Sequence, residues 1–153
     1  MINRIKTLFA SGVAAQALPR ADELQLATAA LLVEAAMMDG AFDPGERARI
    51  SRLLAERFAL NAEEVATVIE EAEAAVQHTG QLYGFTRVLK DRYDPAERIR
   101  MIEMLWEVAF ADGDVDHFES NLIGRVGGLL FVTDRDRGLA KQRVMAKLGS
   151  KAP

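Results

Sequence analysis

Apolar positions recur along this chain at helical spacing, and two stretches are apolar almost all round. Leu24 to Met38 is interrupted only by Gln25, Thr28 and Glu34. Ile99 to Phe110, with Met101, Ile102, Met104, Leu105, Trp106, Val108 and Ala109, repeats that character. A helix without a polar face belongs at the centre of a fold. The remaining segments are amphipathic. Ile50, Leu53, Leu54 and Phe58 share one helical face, with Arg47, Arg49, Arg52 and Arg57 expected toward water. Val65, Val68, Ile69, Ala72 and Val76 mark the next helix, which is acidic along one side. Leu82 to Asp91 predicts a short helix with Phe85, Val88 and Leu89 inward. Phe118, Leu122, Ile123, Val126, Leu129 and Leu130 mark another, and Leu139, Val144 and Leu148 a last one.

Local signals punctuate these helices. Asp43-Pro44-Gly45-Glu46 and Asp94-Pro95-Ala96-Glu97 read as capping boxes with proline at the first helical position. Asn61 with Glu64, and Thr133 with Asp136, are further cap pairs, and Asp22 is the expected N-cap of the first central helix. Gly124, Gly127 and Gly128 weaken their helix, either shortening it or allowing close packing. Lys141, Arg143 and Lys147 suit the C-terminal end of the last helix. No stretch reads as a strand. The fold class is therefore all-α, about seven helices in a bundle.

One pattern occurs twice. Glu34, Asp39, Gly40, Asp43 and Glu46 recur as Glu107, Asp112, Gly113, Asp116 and Glu119, an E-x4-D-G-x-x-D-x-x-E motif offset by 73 residues. Across residues 31–50 and 104–123, 8 of 20 aligned positions are identical. The bundle is thus expected to consist of two pseudo-symmetric helical repeats. Two copies at so long a period do not make a solenoid.

Composition narrows the function. The 153 residues fit one domain, with 50% hydrophobic residues, few aromatics and no cysteine. The lack of cysteine excludes disulfides and thiolate metal sites. A net charge of -4 argues against a nucleic-acid partner. No apolar run reaches the roughly 20 residues of a membrane span. Arg4 and Lys6 ahead of Thr7–Ala17 loosely imitate a signal peptide, but Ser11, Gly12 and Gln16 interrupt its apolar part. Residues 1–21 are read instead as an amphipathic helix (Ile2, Ile5, Leu8, Phe9) and linker, 22–148 as the helical domain, and 149–153 as a frayed tail.

Helix capping alone accounts for Gly40, Gly113, Asp43, Asp116, Glu46 and Glu119. It gives no role to Glu34 and Glu107, carboxylates on nearly all-apolar helices, where burial is costly unless they are paired. Nor does it explain Asp39 and Asp112 at electronegative helix C-termini. Oxygen ligands converging from a helix end, a turn and the next helix start suit a hard cation, calcium or magnesium. The Asp112, Asp114, Asp116 run is not an EF-hand, whose loop has glycine sixth and glutamate twelfth; here they stand second and eighth. His117 is a candidate ligand, and a first-turn surface residue on the plainer reading. No nucleophile elbow, cysteine nucleophile or P-loop is present, and the expectation is a protein that is not an enzyme.

The paired Asp-Gly turns, each behind an alanine-rich helix with a glutamate five residues upstream, resemble the TerB family of tellurite-resistance proteins. The same domain occurs in the N-terminal region of DjlA-type co-chaperones. The resemblance covers about residues 22–148. It implies a seven-helix fold with pseudo-twofold halves and a cytoplasmic protein in a stress-response assembly near the membrane. Such a protein has protein partners and, at most, peripheral membrane association. It further implies an acidic metal-binding surface, which here comprises Glu34, Asp39, Asp43, Glu46, Glu107, Asp112, Asp116 and Glu119. The alternative is a structural or co-chaperone accessory module whose acidic turns cap helices and dock a basic partner.

Overall fold

Two helices without a polar face sit at the centre, as the patterning predicts. The computed structural model describes residues 20–38, 42–79, 82–110 and 117–149, apart from the side chains of 20–22, 78–79 and 117–119. The chain runs α1 (Arg20–Ala36), α2 (Pro44–Phe58), α3 (Ala62–Thr79), α4 (Leu82–Arg92), α5 (Pro95–Ala109), α6 (His117–Leu129) and α7 (Asp134–Gly149). No strand occurs among the described residues. The amphipathic helix expected at Ile2–Phe9 lies outside them. Helix α1 packs against α2, α3, α4, α5 and α6, and α5 against α1, α2, α6 and α7. Ala36 and Ala109, the last helical residues before the two acidic turns, stand 73 apart, and so do Pro44 and His117, the first residues after them.

The core follows from this centrality. Nearly every residue from Ala27 to Ala36 and from Met101 to Ala109 is buried. One polar pair is enclosed there: Thr28 of α1 and Tyr93, in the turn between α4 and α5, share a hydrogen bond of 2.8 Å between their hydroxyls. Burial raises the Tyr93 phenol above its ordinary value, against the opposing pull of Thr28 and Arg57.

Both Asp-Pro capping boxes form. Asp43 Oδ1 accepts from the Glu46 amide at 2.8 Å and Asp94 Oδ1 from the Glu97 amide at 2.8 Å, and each glutamate answers the cap amide. Asn61 and Glu64 reciprocate in the same way. Thr133 Oγ1 accepts from the Asp136 amide at 3.1 Å.

Several expectations change. Helix α1 begins at Arg20, so Asp22 lies within its first turn and is not its cap. The inward stripe of α7 is Ala140, Val144 and Leu148, at i, i+4 and i+8; Leu139, one residue out of phase, faces solvent. Two of the α2 arginines are not simply solvated. Arg47 pairs with Glu73 and lies over the Phe42 ring. Arg57 pairs with Glu97 at 2.9 Å and lies over the Tyr93 ring at 5.0 Å. The α6 glycines do not shorten that helix. A Cβ at Gly127 would lie 3.3 Å from Arg137 Cδ, so this glycine admits a close approach by α7.

Candidate functional site

Each copy of the repeated motif places a glutamate on a central helix a few residues ahead of its Asp-Gly pair. Glu34 sits two residues before the end of α1 and is half-buried. Burial raises its carboxyl above the ordinary value of 4.5, and the Arg125 guanidinium of α6 pulls it back. The charged form is thus the one that this position disfavours.

After the turn, Asp43 caps α2 and Glu46 follows at the third helical position. Glu46 is 4% exposed. The chemically matching Glu97, in the other Asp-Pro capping box, keeps its side chain 40% exposed while it binds Arg57. Capping geometry is common to the two, so it does not account for the difference. Glu46 differs from Glu97 in belonging to the repeated motif.

The second half is more enclosed. Glu107 of α5 has no exposed surface. Its Oε1 accepts from Lys147 Nζ of α7 at 2.5 Å, and its Oε2 is buried with no hydrogen-bond partner among the described residues. Next to it the Trp106 indole is 3% exposed, with Nε1 also unpartnered, and Lys141 lies over its ring at 5.0 Å. One turn earlier, Glu103 bridges Arg100 at 3.2 Å and Arg143 at 2.8 Å. The pairs 103–143 and 107–147 advance together, so α5 and α7 run parallel.

Of the eight acidic positions, Glu34, Asp43, Glu46 and Glu107 are described. Asp39, Asp112 and Asp116 lie outside the described residues, as does the side chain of Glu119 on α6; the same holds for the imidazole of His117. Among the described residues, no three acidic, histidine or cysteine side chains come together as a metal cluster. The described groups are oxygen donors, and the chain has no cysteine to place a thiol beside them. A separate groove of about 420 Å³ between the end of α2 and the start of α5 is lined by Glu56, Arg57, Asp94, Ala96, Glu97 and Arg100. None of these belongs to the repeated motif.

The counter-ions Lys147 and Arg125 are what reading the sequence missed. A signal for Lys147 exists: two acids four apart on α5 and two bases four apart on α7. Only knowledge that these helices are parallel neighbours turns that spacing into two ion pairs.

Comparison with known proteins places this arrangement. The family model described as "Tellurite resistance protein TerB" matches residues 25–142. No curated protein and no solved structure gave a match. No helix among the described residues is long and apolar enough to cross a membrane.

Proposed function

From the premise that the chain belongs to the TerB family, we propose that it is a non-catalytic binding module whose two acidic turns hold a divalent cation, calcium or magnesium, within a cytoplasmic stress-response assembly. The observation that carries this reading is Glu107. A carboxylate without exposed surface, one oxygen on an ammonium and the other unpartnered, retains coordinating capacity at the foot of an acidic turn. The enclosed Glu46 supports the same reading in the first half. The donor set fits: all eight positions offer the hard oxygen ligands that calcium and magnesium take, and the chain has no cysteine to favour a softer metal. Glu34, Asp39, Asp43 and Glu46 would serve one turn, and Glu107, Asp112, Asp116 and Glu119 the other.

A second reading has its own support. Lys147 already neutralises Glu107, and Asp43 and Glu46 satisfy one another as a capping box. On that reading the turns are structural, and the module serves as an adaptor or co-chaperone accessory domain.

Calorimetric titration of metal-free protein with calcium, then magnesium, at physiological salt separates the two. Saturable binding that is lost in Asp39→Asn/Asp112→Asn supports the cation module. The absence of both heat and a melting-temperature shift leaves the structural reading, capping together with the Glu107–Lys147 ion pair.

A further inference from the structure

A second surface, away from the acidic motif, combines an outlying backbone conformation with exposed rings. Phe131 follows α6 with φ 57, in the left-handed region, and its side chain is 71% exposed. The amide of Phe131 donates to the Gly128 carbonyl at 3.2 Å, and that of Val132 to the Gly127 carbonyl at 2.9 Å. This bonding closes a helix, and the residue in Phe131's place is ordinarily glycine, which adopts positive φ without strain. A phenylalanine here is unfavourable twice over, in its backbone and in its solvated ring. The other left-handed non-glycine among the described residues is Ala59, whose side chain is a single methyl. Strain of this kind persists where a site uses it.

The neighbours suggest what the ring is for. Lys90 Nζ of α4 lies over the Phe131 ring at 5.0 Å. Tyr83, Arg87 and Lys90 fall at i, i+4 and i+7 and so share one face of α4. Tyr83 is 73% exposed and Arg87 is exposed. Two rings and two cations therefore form a stripe. Tyr83 to Lys90 spans about 10 Å of helix, and the Phe131 ring extends it.

We propose that this stripe docks an acidic protein segment carrying an apolar side chain. Carboxylates would meet Arg87 and Lys90, and the apolar side chain would pack on the exposed Phe131 ring beside Lys90. About five extended residues cover the stripe. The sign of the charge argues for a discrete segment over an anionic bilayer. The chain as a whole carries -4, and α3 exposes Glu63, Glu64 and Glu70. Two cations are a weak anchor for such a chain on a negative surface, whereas a short segment can set its carboxylates on Arg87 and Lys90 and keep clear of the exposed Asp91, one turn beyond Arg87.

The test is a titration of isotope-labelled protein with a synthetic Asp/Glu-rich peptide bearing one central leucine, read by amide chemical shifts. Shifts are expected to concentrate in α4 and around residues 128–132. Phe131→Gly is expected to weaken binding about tenfold, and Lys90→Glu comparably. The same Phe131→Gly variant should melt about 2 °C higher than the parent, because the left-handed site then holds glycine. Absent shifts, shifts elsewhere, or unchanged binding by Phe131→Gly overturn the proposal. So does co-sedimentation of the protein with phosphatidylserine vesicles when the peptide does not bind. A lowered melting temperature in Phe131→Gly overturns the argument from strain and with it the proposal.

Discussion

Removing the ammonium from the buried Glu107–Lys147 pair is expected to cost more than removing the carboxylate. Lys147→Met leaves Glu107 charged, without exposed surface and without that counter-ion. Breaking a fully buried pair from one side typically costs 3–5 kcal/mol. Lys147 is 46% exposed, so water and salt screen the pair and the cost falls to about 2 kcal/mol. For a chain of this length that is a fall of roughly 6 °C in melting temperature. Glu107→Gln acts differently. It removes the charge that burial disfavours, keeps the shape, and leaves the half-exposed Lys147 ammonium facing an amide oxygen in place of a carboxylate, for a loss below about 1 kcal/mol. The double variant should sit near Glu107→Gln, because a lone methionine strands no charge. Thermal unfolding followed by far-UV circular dichroism in chelator at neutral pH gives all four corners of the cycle, and the cycle removes whatever else Lys147 touches. A Lys147→Met variant as stable as the parent, or a Glu107→Gln loss exceeding that of Lys147→Met, refutes the assignment of Lys147 as the counter-charge.

Three further outcomes follow from the geometry. Glu34→Gln is expected to stabilise the metal-free protein at neutral pH. The folded-state value of Glu34 is raised by burial, so its favourable contribution is present at low pH and is lost as pH rises through that value. The advantage of the variant over the parent should shrink as pH falls toward 4.5 in a series of melting curves, and a gain that grows on acidification contradicts this sign. Thr28→Val removes a hydrogen-bond partner of the buried Tyr93 hydroxyl and should cost about 1–3 kcal/mol by urea titration; a neutral result means that another group, such as Arg57, satisfies the phenol. Asp43→Ala and Asp94→Ala each lose an equivalent cap, about 1 kcal/mol apiece. On the cation reading only Asp43→Ala also diminishes the calcium-induced rise in melting temperature, and an equal diminution by Asp94→Ala removes the special standing of the acidic turn.

The helices and their caps were legible in the sequence because each rests on local physics. The Asp-Pro-x-Glu boxes need only neighbouring residues to close. The two central helices need only be apolar on every side. What the sequence left open depends on which helices lie side by side. The placement of Arg57 over Tyr93, and of Lys147 beneath Glu107, joins residues tens of positions apart and follows from packing alone. The same holds for Leu139, whose outward direction is fixed once Ala140 and Val144 dock on α5. Of the candidate site, the residue types and their doubling were readable. That Glu107 is fully enclosed while Glu34 is only half-buried was not, since both occupy the same motif position.

The central position of α1 has a consequence for synthesis. Among the described helices this one is made earliest, yet α5, which helps to enclose it, ends 73 residues later. At about 5–20 residues per second, α1 waits on the order of 4–15 seconds for that cover. During this interval the nascent chain presents an oily cylinder with α2, α3 and α4 on part of its circumference. A ribosome-bound fragment ending before α5 therefore leaves part of that apolar surface uncovered. Two such fragments have a ready way to protect themselves, by laying one exposed α1 against the other.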